Sequence, residues 1–320
     1  MTSHANATSG APRSGDEARM DENATSGARR TRRDEARSYK KEEARPPIKM
    51  AGGKTKLLPE LLARMPERFE AYHEPFAGGA ALFWALAAAG RLERGRASLS
   101  DMNELLVRVY RALKEDARSV VSLLRDTPVT EEHYYAVRSR SAVDLRSYSD
   151  AEAAAWYVFV NKTTYNGIWR VNRKGTFNAP WGRWKKPPNT CDEPNLLACG
   201  EVLRSLDAIV EVRPFEAVLD HARPGDLVYA DPPYLPSSKT ADFVGYTAEG
   251  FTYADQVRLR DVARELKKRG VHVLLSNSDV PLVRELYESG GDFVVDVVMA
   301  PRSINSKPDG RGAVRELIVR

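Results

Sequence analysis

The run GDLVYADPPYLP, Gly225 to Pro236, places an acid, two prolines and an aromatic ring directly behind an apolar stretch. Val228 and Tyr229 suit a strand. Proline lacks the N–H that a sheet ladder needs, so Pro232 and Pro233 end the strand at Asp231. A carboxylate, a rigid turn and the Tyr234 ring are thus gathered at a strand's C-terminal end, the edge at which open α/β sheets bind ligands. The Asp231 carboxylate and the Pro232 carbonyl are both acceptors. Together they can hold the two hydrogens of an exocyclic amino group while Tyr234 stacks on the attached ring. An aromatic amine is a poor nucleophile because its lone pair is delocalised. Two acceptors turn that pair toward an electrophile and stabilise positive charge developing on nitrogen. A nucleobase must leave its duplex to reach such a pocket. A strand end closed by prolines for structural reasons would show the same local pattern, so the reading depends on the other stretches.

Three of them bear on it. In EPFAGGAALF, Gly78 and Gly79 lie between a strand and a helix, where glycine permits a tight turn and close approach of a ligand to the backbone. Asp101 ends the next strand about 20 residues on, a spacing suited to a carboxylate gripping ribose hydroxyls. A nucleoside-containing cofactor follows, without its identity. In IKMAGGKTKLLPELL, Gly52 and Gly53 precede Lys54 at a helix start, but the spacing of a phosphate-binding G-x-x-x-x-G-K-[ST] loop is absent, which disfavours a nucleotide hydrolase. From Ala153 to Cys191 there is no acidic residue in a chain that is 29% charged. That window holds Lys162, Arg170, Arg173, Lys174, Arg183, Lys185 and Lys186, and also Trp156, Trp169, Trp181 and Trp184. Basic residues interleaved with aromatics suit phosphate contacts with base stacking or wedging. A basic solvated face over an aromatic core is the plainer alternative.

The elements that must position these groups alternate. AYHEPF and ASLSD read as strands, each followed by a helix; MNELLVRVYRALKED sets Leu105, Leu106, Val109, Tyr110 and Leu113 on one helical face. The rhythm stops from about 115 to 200. It resumes with strands DAIVEVRPF, GDLVYADPPY and VHVLLSNSD, the helices YADQVRLRDVARELKKRG and VPLVRELYESG, and two closing strands, FVVDVVMA and AVRELIVR. This predicts a doubly wound α/β domain, a mostly parallel sheet with one antiparallel strand, interrupted by an insertion. Four segments are expected: an arm over 1–45, a first part of the domain over 46–114 with the glycine loop, an insertion over 115–199, and a second part over 200–320. The arm contains no Val, Ile, Leu, Phe, Trp or Cys and carries ten basic and eight acidic residues, so it reads as disordered. The 320-residue chain has net charge +5, which favours an anionic partner only weakly. Cys191 and Cys199 fit no metal spacing or disulfide framework and suggest a reducing, intracellular setting. That spacing leaves no metal expected, and AALFWALAAA is too short to cross a bilayer, so no membrane is expected either.

Together the stretches resemble the Dam-type DNA adenine methylases, from about Ile48 to Arg320. KMAGGK is similar to that family's N-terminal motif, EPFAGGAALF to its cofactor loop, SDMNELLVRVY to its D-x-N segment, YNGIWRVNRKGTFNAPWGRWKKP to its target-recognition hairpin, and RSINSKPDGRGAVRELIVR to its C-terminal end. DPPY is the amino-methylating tetrapeptide. The resemblance implies an S-adenosylmethionine-dependent methyltransferase fold with an inserted target-recognition domain, and transfer of a methyl group to N6 of a flipped adenine in double-stranded DNA, in GATC. It implies Asp231, Pro232, Pro233 and Tyr234 as catalytic. It places S-adenosylmethionine against Met50, Lys54, Phe76, Gly78, Gly79, Asp101 and Asp231. It places DNA against Lys49, Tyr165 as a wedge, Asn166, Ile168, Arg170, Pro180 and Arg183, with Arg170 suited to guanine O6 and N7. Met50 stands where the family has an aromatic residue, and Ile168 and Trp169 depart from the usual hairpin. Methylation of another amino group, cytosine N4 or RNA adenine, is a second reading, and an inactive DNA-binding regulator a third. A cytoplasmic, nucleoid-associated protein is implied, either standing alone or paired with a cognate restriction endonuclease.

Overall fold

A computed structural model describes residues 44–50, 52–140, 145–172, 176–235, 251–301 and 313–320. The arm, the 236–250 segment, the hairpin tip at 173–175 and the loop at 302–312 lie outside the described residues. Arg45 is described, and its backbone exchanges hydrogen bonds with the Asn195 side chain.

The strands are short apolar runs stopped by turn residues. They are β1 (Tyr72–Glu74), β2 (Ala97–Asp101), β3 (Ile209–Val212), β4 (Leu227–Ala230), β5 (His272–Ser278), β6 (Val295–Pro301) and β7 (Ala313–Val319). They form one seven-stranded sheet in the order β3-β2-β1-β4-β5-β7-β6. All the pairs are parallel except those of β7, which runs antiparallel to both β5 and β6. The expected single antiparallel strand is therefore the last one.

The helices are α1 (Leu58–Arg64), α2 (Ala81–Ala88), α3 (Glu104–Arg125), α4 (Glu131–Arg138), α5 (Asp150–Thr163), α6 (Glu193–Ser205), α7 (Val218–His221), α8 (Tyr253–Lys268) and α9 (Pro281–Glu288). Capping chemistry fixes several starts: Asn103 and Thr130 accept from the third residue of α3 and α4, and Ser149 and Thr252 complete capping boxes on α5 and α8. Helix α3 runs nine residues past the expected pattern, which ends at a non-helical Asp116 with φ −146°.

Alternation along the strands covers both sheet faces. Leu227, Tyr229 and Leu274 join the cluster under α2, α3, α5 and α6, while Val228, Ala230, Val273 and Leu275 join the cluster under α8 and α9. Period-two burial of this kind is what a doubly wound sheet requires. The first cluster runs from Ile48 through Trp156, Trp169, Phe177 and Trp181 to Ile318, so the segment expected as an insertion shares the core of the sheet's own helices. No helix among the described residues is long and apolar enough to cross a membrane. Both cysteines are free, and burial pushes the Cys199 thiol up to about 12.

Strand β1 lies between β2 and β4, and chain order reverses there. That is the switch point at which loops from two strands diverge and leave a crevice. The glycine turn follows β1, Asp101 ends β2 and Asp231 follows β4, so topology alone brings the three together.

Candidate active site

Strand β4 ends at Ala230, and Asp231 is the first residue beyond it. Lys54 Nζ stands 2.9 Å from Asp231 Oδ1, and the Ser276 hydroxyl donates to the same oxygen at 2.7 Å. Ser276 in turn pairs with the Tyr229 hydroxyl at 3.1 Å. Both supports converge on Oδ1; among the described residues no hydrogen bond reaches Oδ2. Lys54 is buried despite its charge. It is satisfied by Asp231, by the Gly52 carbonyl at 2.7 Å and by the Tyr234 ring, whose centroid lies 4.5 Å from the ammonium.

The rest of the tetrapeptide is braced from β5, α8 and β7. Gln256 of α8, fully buried, donates to the Pro233 carbonyl at 3.2 Å and accepts from Asn277 of β5 at 2.9 Å. The Pro232 carbonyl meets no donor among the described residues. The Tyr234 hydroxyl donates to Glu316 of β7 at 2.8 Å. Burial, with Asp231 and Glu316 nearby, pushes the Tyr234 phenol well up, so it remains a donor.

On the other side of β1, Asp101 Oδ2 accepts from the Gly78 N–H at 3.1 Å and Oδ1 from the Asn103 N–H at 2.9 Å. Burial pushes the Asp101 carboxyl above its ordinary range against these bonds. Gly78 has φ +46°, which favours glycine, and its carbonyl is held by the Tyr110 hydroxyl at 2.7 Å. The Met50 side chain lies against this turn: a Cβ on Gly79 would sit 3.4 Å from Met50 Cγ. Phe76 turns to the other sheet face, stacked on Phe215 at 5.3 Å and edge-on to Phe251. The Asn103 amide nitrogen is buried and has no partner among the described residues.

A nucleoside-bearing ligand fits this donor set. A carboxylate at the end of β2 suits vicinal hydroxyls, the glycines leave the backbone approachable, and Asn103 holds an unused buried donor at the same edge.

The residues expected to face nucleic acid gather around α5. Asn161 receives the Lys49 N–H at 2.8 Å and donates to the Lys49 carbonyl at 2.7 Å. This locks the N-terminal motif to the helix that leads into the hairpin. The Lys49 ammonium lies 5.1 Å from the Trp184 ring, and a Cβ on Gly167 would approach Lys49 Cβ to 2.8 Å. The hairpin pairs Thr164 with Trp181 and Val171 with Phe177. Tyr134 and Arg138 of α4 support its return arm through the Ala179 carbonyl. Tyr165 is 38% exposed at the head of the turn, and Pro180 and Arg183 are exposed on the same hairpin; Ile168 is partly buried. The Asn166 side chain lies outside the described residues. Arg170 donates through Nε to Asn178 Oδ1 at 2.8 Å and through Nη2 to the Asn178 carbonyl at 3.0 Å. The Nε–Nη2 edge of its fork is thereby anchored, and among the described residues Nη1 makes no hydrogen bond.

Stacking by the tryptophans, expected from their interleaving with basic residues, does not hold. Trp156, Trp169 and Trp181 are buried, with Trp169 stacked on Tyr157 at 4.3 Å, and Trp184 donates to the Thr163 carbonyl. They are the core beneath the basic face, because large apolar rings gain more from burial than from exposure. Sequence reasoning also missed Ser276, Asn277, Gln256, Glu316 and Asn161. A signal existed for two of them: the polar pair Ser276-Asn277 ends an otherwise apolar buried strand, a placement that asks for partners.

A family model described as D12 class N6 adenine-specific DNA methyltransferase matches residues 51–303. A type II methyltransferase of Lactococcus lactis subsp. cremoris, M1.LlaDCHI, is 38% identical over 278 residues, covering 86% of this chain and 94% of its own length. The type II methyltransferase M.MjaIII of Methanocaldococcus jannaschii is 36% identical over 293 residues, 87% of this chain and 99% of its own. The DNA adenine methylase of Escherichia coli K12 is 33% identical over 275 residues, 85% of this chain and 93% of its own.

Proposed function

The chain belongs to the D12 class N6 adenine-specific DNA methyltransferases, and from that premise we propose that it methylates a flipped adenine within GATC in duplex DNA, using S-adenosylmethionine. The observation that carries the reading is the division of labour on Asp231. Oδ1 is held by Lys54 and Ser276, while Oδ2 and the Pro232 carbonyl lie without protein donors among the described residues. Two acceptors left open at a strand end match the two hydrogens of an amino group. They would hold N6 with its lone pair out of the ring's conjugation, and the Asp231 charge would stabilise the cation developing on that nitrogen. Oδ2 is also the atom facing the proton that N6 releases. Tyr234 would lie against the base, and the cost of unstacking it falls on the DNA interface.

S-adenosylmethionine would supply an electrophilic methyl group. Asp101 would hold its ribose, with Gly78 and Gly79 admitting it, Met50 and Phe76 flanking the turn, and Lys54 completing the crevice. On DNA, Lys49, Asn166, Ile168, Arg170, Pro180 and Arg183 would face the site from one hairpin, with Tyr165 as wedge. Arg170, anchored on Asn178, would read a guanine with its remaining edge. The 115–199 segment serves as the target-recognition part, within the core shared with 46–114 and 200–320. Nucleoid DNA is then the substrate, and a cognate endonuclease the partner in one setting. The test is to express the chain in cells lacking adenine methylation, digest their DNA with methylation-sensitive enzymes and map N6-methyladenine by sequencing. Methylation outside GATC would remove the site assignment. Binding of S-adenosylmethionine by calorimetry tests the cofactor separately.

A further inference from the structure

We propose that Glu316 is a positioning residue for methyl transfer: by holding the Tyr234 hydroxyl it sets where the long axis of the ring points, and so where the ring stands against the target base. The proposal rests on the reading of Asp231–Tyr234 as the amine clamp.

The geometry is asymmetric. Tyr234 lies four residues past the end of β4, in backbone that belongs to no ladder. Glu316 lies on a strand paired on both sides, opposite Ser278 of β5 and Val298 of β6. The fixed partner is therefore Glu316, and the group being fixed is the ring. A tyrosine ring turns about two side-chain torsions. The Lys54 ammonium, over the ring at 4.5 Å from its centroid, constrains the turn of the ring about its own long axis. The hydroxyl lies on that axis, so anchoring it at 2.8 Å fixes where the axis points.

Stability does not explain the carboxylate. Neighbouring Asp279 is paired with both Arg284 and Arg315. Glu316, by contrast, makes no ion pair among the described residues, and its hydrogen bond goes to the phenol. A partly buried carboxylate with no counter-cation costs desolvation, and an apolar side chain would serve the sheet better. It also sits in a neighbourhood that already holds Asp231. A carboxylate retained there under those conditions has its use in what it holds.

The test is a set of four variants in single-turnover transfer, with DNA and methyl donor saturating: Glu316→Gln, Glu316→Leu, Tyr234→Phe, and Glu316→Leu with Tyr234→Phe. Glu316→Leu should lower the rate about tenfold or more, the size of one hydrogen bond to a charged group. DNA and donor affinities should stay within about twofold. Glu316→Gln, which keeps an acceptor, should recover most of the rate, as a group needed only for its charge would not. Tyr234→Phe should match Glu316→Leu, and the double variant should be no slower than either, because both remove one interaction. The proposal is overturned if Glu316→Leu stays within about twofold of wild type, or if the double variant shows the product of the two single losses. Asp231→Ala in the same assay separates the two levels. Transfer surviving there sinks the clamp reading, whereas loss there with full rate in Glu316→Leu sinks Glu316 alone.

Discussion

Replacing Asp231 by asparagine should produce two separable losses. The side chain keeps its size, but it gives up a negative charge that faces a buried ammonium at 2.9 Å. Removing one partner of a buried pair costs about 3–5 kcal/mol when nothing else compensates. Here compensation exists. Lys54 keeps the Gly52 carbonyl at 2.7 Å and the Tyr234 ring face, and the amide oxygen can take the place of Oδ1 toward both Lys54 and Ser276, leaving the amide nitrogen in the place of Oδ2. The Asp231 side chain is also 21% exposed, which lets water share the deficit. A cost of about 1–3 kcal/mol follows, or a fall in Tm of roughly 3–8 °C for a domain of this size. Lys54→Met combined with Asp231→Asn should recover part of that fall, since it removes the orphaned cation. The catalytic loss is larger. In the asparagine variant the atom left for the base is neutral, or it is a donor aimed at a donor. Loss of one preorganised electrostatic contact at a site of developing charge typically costs about 10²–10³ in rate. DNA affinity should stay within about threefold, because phosphate and hairpin contacts supply it. The assays are differential scanning calorimetry and single-turnover methyl transfer on a duplex carrying one site. Transfer within about tenfold of wild type would refute the clamp. An unchanged Tm in the single variant, with none recovered in the double, would refute the energetic role of the Lys54–Asp231 pair.

Arg170→Ala should relax discrimination at one base pair by about 1–3 kcal/mol and leave the others alone, read by sequencing products from a library of GATC variants; equal loss on all sequences, as expected for Lys185→Ala, would make Arg170 a phosphate contact. Glu74 carries a pH dependence. Burial first, then Asp231 and Asp101, pushes its carboxyl well up against the Tyr72 hydroxyl at 2.8 Å and the Phe83 N–H. A folded value above the unfolded one means its contribution is fully present below the unfolded range near about pH 4.5 and is lost as pH rises toward the folded value, by up to about 1.4 kcal/mol per pH unit. Glu74→Gln should therefore gain in Tm relative to wild type between pH 5 and pH 8, and parallel melting curves across that window would contradict the assignment. Gly200→Ala should lower Tm by roughly 2–8 °C, because its Cβ would meet the Leu113 carbonyl at 2.4 Å and Ala117 Cβ at 2.8 Å where α6 crosses α3; wild-type stability would show that the two helices separate freely.

Most of the sheet was legible in the chain. Apolar runs stopped by glycine, proline and acid mark β1 through β7 because strand ends and turns use residues with fixed local chemistry, and the alternation of strands with helices fixes a parallel sheet through chain connectivity. The tetrapeptide was legible for the same reason: Asp231, Pro232, Pro233 and Tyr234 are contiguous, so their joint chemistry survives in one dimension. What stayed hidden was everything that depends on distant partners. Lys54 and Asp231 are 177 positions apart, and Tyr234 and Glu316 are 82. No local pattern ties such pairs together; the strand order does, by setting β1 beside β4 and β7 beside β5. Burial likewise belongs to the tertiary structure. The spacing of Trp156, Trp169, Trp181 and Trp184 among basic residues is the same whether the rings meet bases or one another, and only the packing of α5 against the hairpin turned them inward. Sequence also left α3 too short, because Asp116 interrupts the dihedrals without ending the helix: the apolar face of Val120, Val121 and Leu124 still has a core to enter.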